Sequence, residues 1–341
     1  MPQADPADYR MPAEWEPLDA VWLVRPHNPE TWPGCLDQAQ AQWDAFAAAL
    51  ARHVRVRTTD ELAIPTIDSW IRDFGPIFVV RASTPHTPHP TPPPLAAHDF
   101  VFNGWGGKYE DRSLDDIVPV AIARHLDVPL FRHDLVLEGG SIEVNGRGTV
   151  MTTDQCLCNP NRNPDLTRDQ IVEQLHAALG TRHVIWLPGG IVGDDTDGHI
   201  DDIARFIAPD QVVATQPSGG PDHAMLERNW QALEAARDQD GQPLQLTPLP
   251  APDPIMYNFP PDRFGPGGVG PIPASYANFL IANDAVLVPI FGQASDDVAL
   301  RTLERAMPRH TVIGCRAEHL VVGLGAFHCL SQQQPRPGGA A

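Results

Sequence analysis

The sequence predicts an α/β fold. Short apolar runs rich in valine and isoleucine alternate with longer segments whose apolar residues recur at helical spacing, as in strands connected through helices. Strands are expected at 20–24, 77–80, 184–187 and 285–288. Helices are expected at 31–52, at 165–179 with Thr167 as the cap, and at 296–307. No convincing internal repeat is visible in the sequence.

A single catalytic domain is expected over residues 1–335, because no linker-like change of composition divides the 341-residue chain. Its 37 prolines concentrate in two segments. Segment 84–94 has no apolar pattern, which predicts an exposed polyproline-like surface loop. Segment 243–273, rich in proline and glycine, predicts a longer loop whose aromatic side chains pack against the domain. Residues 336–341 are expected to form a disordered tail.

The charge balance narrows the classes of partner. The chain has 43 acidic and 24 basic residues, a formal net charge of −19. Such a surface repels nucleic-acid phosphates and anionic membranes, so neither is expected as a partner. It favours a cationic substrate or simply serves solubility.

The expected location is the cytoplasm. No apolar run approaches the roughly 18 residues that a transmembrane helix needs. The first residues show neither the basic nor the apolar region of a signal peptide. The five cysteines are an odd number, which suits reduced thiols better than a disulfide framework.

The strongest candidate site lies at 193–202, where five aspartates surround His199. We expect a strand here, on which His199 and Asp201 point into one pocket because alternate residues of a strand share a face. Asp194 and Asp195 are expected to be solvated. A metal site is the first alternative, since a His-x-Asp sequence can ligate zinc or a harder ion.

A second candidate is Cys329, which follows the glycine-containing segment 323–325. A glycine such as Gly325 lets the backbone pass close to a substrate. A single thiol with a distant histidine and acid is the pattern of a cysteine nucleophile assembled in space. The alternative is that Cys329 is a small buried apolar residue.

Three further residues are candidates for binding a ligand. Asp73 and Glu138 are each expected at a strand end next to glycine, where a ligand can reach the carboxylate. Trp105 lies in a glycine-rich aromatic loop at 103–109. No phosphate-binding loop or GxGxxG motif is present, so no nucleotide is expected.

One chemistry uses all these groups without a metal or another cofactor. A guanidinium is flat, cationic and rich in donors, so two carboxylates can bind it bidentately and fix its plane. A thiolate can then attack its carbon. A histidine protonates the departing ammonia and afterwards activates water, while a third carboxylate orients and charges that histidine.

The chain closely resembles the agmatine deiminases, within the bacterial-type peptidylarginine deiminase grouping of the guanidine-modifying (pentein) superfamily. The resemblance runs nearly end to end. Its motifs are MPAEWEPLDAVWLVRPHNPETWPG at 11–34, RDFGP at 72–76, NGWGGKY at 103–109, LEGGSIEVNGRG at 137–148, NPNRNP at 159–164, WLPGGIVGDDTDGHIDDIARF at 186–206, YANFLIAN at 276–283 and GLGAFHCLSQQQP at 323–335.

The resemblance implies a five-bladed α/β-propeller of ββαβ-like units around a central site. It implies hydrolysis of agmatine to N-carbamoylputrescine and ammonia through a covalent thiouronium on cysteine, as in putrescine biosynthesis. No cofactor or metal is implied, and a homodimer is suggested by the family alone.

The resemblance also assigns roles. Cys329 would be the nucleophile and His199 the general acid and base. Asp73 and Asp201 would grip the guanidinium, and Glu138 would hold His199 charged. Trp105 and Gly325 would contact substrate, with Trp105 covering the distal ammonium by a cation–π contact.

Other acids and three positions outside the family pattern complete the expectations. Asp194, Asp195 and Asp197 are further candidates for the distal ammonium. The family more often has histidine at Glu143, which we expect to be solvated, and Asn-Ile at 326–327, where Ala326 and Phe327 are expected beside the nucleophile.

Three alternatives stay open at this point. The chain could deiminate another guanidine, namely arginine or peptidyl-arginine. It could be a metal-dependent hydrolase that uses the Asp/His cluster. It could also be a guanidine or polyamine binder without catalytic activity.

Overall fold

The structure, a computed structural model, describes residues 4–82, 93–216, 219–261 and 267–338. Three of its helices were predicted, with termini that differ by a few residues: Leu36–Leu50, Arg168–Leu179 and Ala294–Ala306. Thr167 caps the second of them in a capping box with Gln170, as the sequence predicts. The other α-helices are Ile71–Phe74, Gly104–Gly107, Val118–Leu126, Asp154–Leu157 and His223–Ala235.

Five sheets of the described residues share one pairing pattern. In each, two antiparallel strands are followed by a third that lies parallel to the second. The five units are Ser331–Pro335, Leu18–Leu23 and Arg55–Thr58; Ile77–Arg81, Leu95–Val101 and Leu130–Val136; Glu143–Val144, Thr149–Thr153 and His183–Leu187; Ala204–Ala208, Gln211–Thr215 and Gln245–Leu249; Leu280–Ala282, Ala285–Ile290 and Thr311–Arg316.

A helix lies between the two parallel strands of every unit, because parallel neighbours need a crossover connection. The first unit takes its first strand from the C-terminal part of the chain, where Gln332 lies opposite Trp22. Two strands fall outside this pattern and pair with each other, Ile255–Phe259 with Gly268–Ile272. Tyr9–Arg10 adds to the edge of the second unit's sheet.

The core lies between neighbouring sheets. Successive residues of one strand face different clusters: Val150 belongs to a cluster with Ile77 and Leu175, while its neighbour Met151 belongs to another with Phe206. Such strands are buried on both faces, which explains why they read as continuous apolar runs and not as an alternating pattern. The predicted strands are confirmed at Leu18–Leu23, Ile77–Arg81, His183–Leu187 and Ala285–Ile290.

The structure differs from the sequence-based expectations in three respects. The segment 243–273, expected to be a loop, contains the three strands Gln245–Leu249, Ile255–Phe259 and Gly268–Ile272. In the expected tail, Arg336 is held by Asp19 and by the backbone of Pro17. A repeated unit exists although the sequence shows no convincing repeat, because the five units share pairing and not residues.

Some expectations fall outside what the structure describes. Residues 84–92 of the predicted polyproline-like loop and 339–341 of the predicted tail lie outside the described residues. Within the described ranges, no helix combines the length and apolar character needed to cross a membrane.

Candidate active site

The candidate site residues occupy equivalent places in the five units. Each lies in the short segment that leads into the first strand of a unit. Asp73 precedes Ile77–Arg81, Glu138 precedes Glu143–Val144, His199 and Asp201 precede Ala204–Ala208, Asn278 precedes Leu280–Ala282, and Cys329 precedes Ser331–Pro335. The repeated unit therefore brings residues that are far apart in the sequence to one place.

Gly140 marks the centre of this site. A Cβ atom at Gly140 would lie 2.5 Å from His199 Nδ1, 2.9 Å from Asp73 Oδ1 and 3.1 Å from Asp201 Oδ2. No side chain fits there without displacing these groups. Glycine at this position lets the backbone lie against the histidine and two carboxylates.

Asp73 lies in the one-turn helix Ile71–Phe74, not at a strand end as the sequence suggested. Its carboxylate accepts hydrogen bonds from Gly140 N and from the Trp105 indole, both at 2.9 Å. Burial raises the pKa of Asp73 well above its ordinary value, and the neighbouring charge of Asp201 adds to this.

His199 and Asp201 lie together, although the predicted strand is wrong. His199 is the residue before a 3-10 helix, Ile200–Asp202. Asp194, expected to be solvated, instead accepts hydrogen bonds from Gly198 N and His199 N and so shapes this loop. The loop brings both side chains against Gly140 because it turns, and not because they alternate along a strand.

The His199 imidazole is completely buried and neutral in the free site. Burial is the main cause that lowers its pKa, to about 3, and the cation of Arg162 contributes in the same direction. Neither ring nitrogen has a hydrogen-bond partner among the described residues. Its Nδ1 lies 3.7 Å from Asp73 Oδ1. A buried imidazole without partners is placed to contact a ligand.

Glu138 lies beside His199 and is fixed by an arginine that the sequence did not single out. Arg162 Nε donates to Glu138 Oε1 at 2.7 Å, and both side chains are fully buried. Glu138 Oε2 has no partner among the described residues. Burial raises the pKa of Glu138, and Arg162 opposes that rise. Arg162 belongs to the NPNRNP segment quoted above, which was the signal for it.

Cys329 is buried beside two acids. Its Sγ lies 3.5 Å from Asp201 Oδ2. Burial raises the pKa of the Cys329 thiol well above its ordinary value, and the charges of Asp201, Asp202 and Asp73 raise it further. The thiol is therefore protonated until a cation enters the site. Gly325 is needed for this packing, since a Cβ there would lie 2.9 Å from Cys329 Cβ.

Asn278 completes the site and was not predicted. Its Nδ2 donates to Cys329 Sγ at 3.0 Å and to Asp202 Oδ1 at 2.9 Å. Its Oδ1 accepts from the backbone nitrogen atoms of Cys329 and His328. The residue occurs in the YANFLIAN segment, but an asparagine alone indicates no chemistry, and only the equivalence of the five units reveals its place.

Two cavities meet at Trp105 and Tyr109. A narrow inner cleft reaches Cys329 and Asp73, and Asp195 also lines it. Tyr109 donates its hydroxyl proton to Asp195 at 2.6 Å. A wider outer cavity of about 560 Å³ has five acidic residues against two basic ones in its wall. The acids are Glu30, Asp68, Glu110, Asp111 and Asp115.

Asp194 and Asp197, the other two acids that the sequence offered from the loop 193–202, also bind neighbouring groups of the protein. Asp197 pairs with Lys108 and with Arg162, each at 2.8 Å, and Asp194 is engaged by the loop backbone. Of the three loop acids that the sequence offered for a distal ammonium, Asp195 is the one in the wall of the inner cleft. Trp105 also lines that cleft, while its indole nitrogen bonds Asp73.

The departures from the family pattern have structural partners. Glu143 is buried, not solvated, and accepts a hydrogen bond from Arg205 Nε at 2.9 Å. Phe327 stacks on Phe46 with ring centroids 4.2 Å apart and lies in the hydrophobic core. Phe327 is thus two positions before Cys329 in sequence, but its ring packs on the helix Leu36–Leu50.

Two groups of the described residues are compact enough to hold a metal ion. In each, the candidate ligand atoms lie within 4.8 Å of one another, and all residues are buried. The groups are Glu138, Cys156 and His199, and Asp201, Asp202 and Cys329. These two groups are the candidate sites for the metal-dependent alternative.

Comparison with known proteins decides the family. The sequence profile of the Porphyromonas-type peptidyl-arginine deiminases matches residues 10–335. The chain belongs to this family. A curated agmatine deiminase of Medicago truncatula is 37% identical over an alignment that is 361 positions long and covers 96% of each chain. The comparison identifies the chain as an enzyme of the deiminase family.

Solved structures agree with this membership. The structure described as the agmatine deiminase of Enterococcus faecalis superposes with a TM-score of 0.90 at 30% identity and covers 99% of each chain. An amidinotransferase from Microseira wollei superposes with a TM-score of 0.59 at 14% identity, covering 97% of this chain and 98% of its own. At that identity the likeness shows the α/β fold alone.

Proposed function

We propose that the chain hydrolyses agmatine to N-carbamoylputrescine and ammonia. The observation that carries this proposal is that a thiol, an imidazole and two carboxylates lie together, buried, at the inner end of a cleft that two of them line. These are Cys329, His199, Asp73 and Asp201. Family membership supports the same reaction, because the relatives compared above are named agmatine deiminases.

The two carboxylates are suited to hold a guanidinium. Asp201 Oδ1 is buried without a partner among the described residues, which leaves it ready to accept hydrogen bonds. Asp73 is fixed from two sides by Gly140 N and Trp105. A cation bound between them lowers the pKa of Asp73, because opposite charge favours the ionised carboxylate. Two fixed carboxylates then orient the guanidinium plane for attack.

The same cation produces the nucleophile. In the free site burial and acidic neighbours raise the pKa of the Cys329 thiol. The positive charge of a bound guanidinium offsets those carboxylates and lowers the pKa of the thiol. Substrate binding and thiolate formation are therefore coupled, and the free enzyme is protected from indiscriminate alkylation.

The proton accounting assigns His199 to both halves of the reaction. On substrate binding the proton of the Cys329 thiol passes to His199. The thiolate attacks the guanidinium carbon, and the tetrahedral adduct expels ammonia as His199 delivers that proton to the leaving nitrogen. The resulting thiouronium is attacked by water, from which His199 takes a proton. The C–S bond then breaks while the new hydroxyl group loses its proton to solvent, which releases N-carbamoylputrescine and restores the thiolate. Glu138, fixed by Arg162, stabilises the imidazolium.

The cavity walls favour agmatine over arginine. Agmatine has an ammonium at its far end, whereas free arginine also carries a carboxylate. Asp195 in the inner cleft and the acidic outer cavity attract the ammonium of agmatine and repel the carboxylate of arginine. We propose Asp195 as the residue that pairs with the distal ammonium, with Trp105 as the wall beside it.

We further propose that the five units form the blades of a single-domain α/β-propeller over residues 1–335. The pairing of the C-terminal strand Ser331–Pro335 with Leu18–Leu23 supports a closed ring. A homodimer in the cytoplasm remains a proposal from the family resemblance.

The test is a product assay with three guanidines. Purified protein should release ammonia and N-carbamoylputrescine in equal amounts from agmatine, with little turnover of arginine or peptidyl-arginine. Activity should survive a chelator and disappear in Cys329→Ala. Cys158→Ala is the matched control, because Cys158 is exposed. Loss of activity on chelation would support the metal alternative, and tight agmatine binding without turnover would support the binder.

A further inference from the structure

The residue that precedes the nucleophile, His328, is buried between two carboxylates. Its Nδ1 lies 2.7 Å from Asp201 Oδ2, and its Nε2 lies 2.8 Å from Glu14 Oε2. Its backbone is also held, because the amide donates to Asn278 Oδ1 and the carbonyl accepts from Arg72 Nε. The imidazole has no freedom to leave this place without breaking several buried hydrogen bonds.

Glu14 is ionised, so it accepts a hydrogen bond from His328 and does not donate one. Its Oε1 accepts from Ile281 N at 2.6 Å, and its Oε2 accepts from Arg205 at 2.7 Å. Burial raises the pKa of Glu14, but the cations of Arg205 and His328 outweigh burial and lower it below its ordinary value. Ring atom Nε2 of His328 must therefore carry a proton.

The same reasoning applies to the other ring nitrogen. Burial raises the pKa of Asp201, yet the hydrogen bond and the charge of His328 outweigh it, and the pKa lies below its ordinary value. The 2.7 Å contact between Nδ1 and Asp201 Oδ2 requires one shared proton, and we place it on Nδ1 because only a positive His328 makes the surrounding buried network neutral. An imidazole protonated on both nitrogens is an imidazolium.

The surrounding charges agree with this protonation. The buried ion-pair network behind the site contains three carboxylates and two guanidinium groups, so a positive His328 makes it neutral. Buried charges are tolerated only when they are compensated. The carboxylates are those of Glu14, Glu143 and Asp201, and the guanidinium groups are those of Arg72 and Arg205.

We propose that His328 is a positioning residue of the deiminase: its imidazolium holds Asp201 Oδ2, keeps that carboxylate ionised, and leaves Oδ1 for the substrate guanidinium. It has a second effect on the nucleophile. Asp201 Oδ2 lies 3.5 Å from Cys329 Sγ, so the cation on His328 reduces the repulsion between this carboxylate and a thiolate. The inference rests on the proposed function, because it assigns Asp201 to the guanidinium.

The pH dependence that follows involves every charged group around Asp201. These groups are Asp73, Asp194, His199, Asp202, Arg205 and Cys329, besides Arg72 and His328. Burial raises the pKa of Asp73 and of Asp202 well above the ordinary value, and the charge of Asp201 raises both further. His328 is the neighbour whose removal most directly returns Asp201 to its protonated form.

The test compares His328→Gln with wild type in agmatine assays from pH 5 to 9. The variant keeps a donor but loses the cation, so we expect KM to rise about tenfold or more at pH 6. The acid limb of kcat/KM should move to higher pH. His319→Gln is the matched control, with the wild-type profile expected. A variant with the wild-type KM and pH profile would overturn the proposal, whatever its melting temperature.

A second measurement does not depend on a folded variant or on turnover. In wild-type protein with ¹⁵N-labelled histidine, both ring nitrogens of His328 should show the protonated imidazolium shift at pH 8. A neutral His328 at that pH overturns the proposal. This measurement stands even where agmatine is not turned over, so failure of the proposed function and failure of this inference remain distinguishable.

Discussion

Asn278 donates its side-chain amide to the Sγ atom of Cys329 at 3.0 Å, and its carbonyl oxygen accepts from the Cys329 backbone nitrogen. One side chain thus binds both the sulfur and the backbone of Cys329. Among the causes that act on the thiol, the hydrogen bond from Asn278 lowers its pKa, whereas burial and the acidic neighbours raise it.

Asn278→Ala should therefore weaken the nucleophile. A hydrogen bond to a charged group contributes roughly 1.5–3 kcal/mol, so we expect kcat to fall about 10- to 100-fold. The pKa of the thiol should rise further, which is measured as the pH dependence of iodoacetamide inactivation. Asn258→Ala, on an exposed residue of Ile255–Phe259, should match wild type. An unchanged alkylation profile in Asn278→Ala would contradict this role.

His199→Gln tests the neutral imidazole of the free site. His199 has a pKa of about 3 in the folded chain, against about 6.5 when unfolded. Between those values the unfolded chain binds a proton that the folded chain does not. Stability from this residue is thus complete above pH 6.5 and is lost as the pH falls. The unfolding free energy of the variant should depend less steeply on pH, by up to about 1.4 kcal/mol per pH unit.

The measurement is urea unfolding of both proteins between pH 4 and 7. Identical slopes for wild type and His199→Gln would show that the histidine is protonated or exposed in the folded chain. Glutamine fills a similar volume without titrating, so a difference in slope reports the proton and not a cavity.

Asp195→Asn should affect substrate affinity more than chemistry. The residue lines the inner cleft, where its carboxylate accepts a hydrogen bond from Tyr109. Losing a charged partner for the distal ammonium should raise KM for agmatine about tenfold while kcat changes little. Steady-state kinetics measure both. Asp165→Asn, at an exposed position, is the control. A fall in kcat at unchanged KM would remove Asp195 from substrate recognition.

Arg162→Met should destabilise the fold, because it leaves Glu138 without its partner. Both side chains are fully buried, and breaking such a pair costs about 3–5 kcal/mol. Arg168→Met is the control, since Arg168 is half exposed and its pair with Asp154 contributes at most about 1 kcal/mol. Chemical denaturation measures both. Replacing Glu138 as well, in Glu138→Leu/Arg162→Met, should recover part of the loss.

The sequence indicates the elements better than it indicates their assembly. Val- and Ile-rich runs predict strands such as Ala285–Ile290 because such residues suit strands that are buried on both faces. The repeated unit is invisible because it is a pattern of pairing. Gln332 and Trp22 lie opposite each other only in three dimensions, at opposite ends of the chain.

The site residues also divide into those that the sequence identified and those that it did not. Cys329, His199 and the acids carry recognisable chemistry, so residue type and motif were enough to select them. Asn278, Arg162 and Glu14 act through buried contacts with those groups, and no property of an asparagine or arginine in a sequence reveals such a contact. The strand predicted at His199 was wrong because backbone N–H groups of the loop donate hydrogen bonds to the Asp194 carboxylate and turn the loop.

The most direct test of the account is to trap the covalent intermediate on Cys329. Wild-type protein mixed with agmatine and quenched in acid should give a Cys329 peptide whose mass has increased by that of agmatine less ammonia. The adduct should be absent from Cys329→Ala, which should form no product. Turnover of agmatine by Cys329→Ala, or an adduct confined to another cysteine, would contradict the central claim.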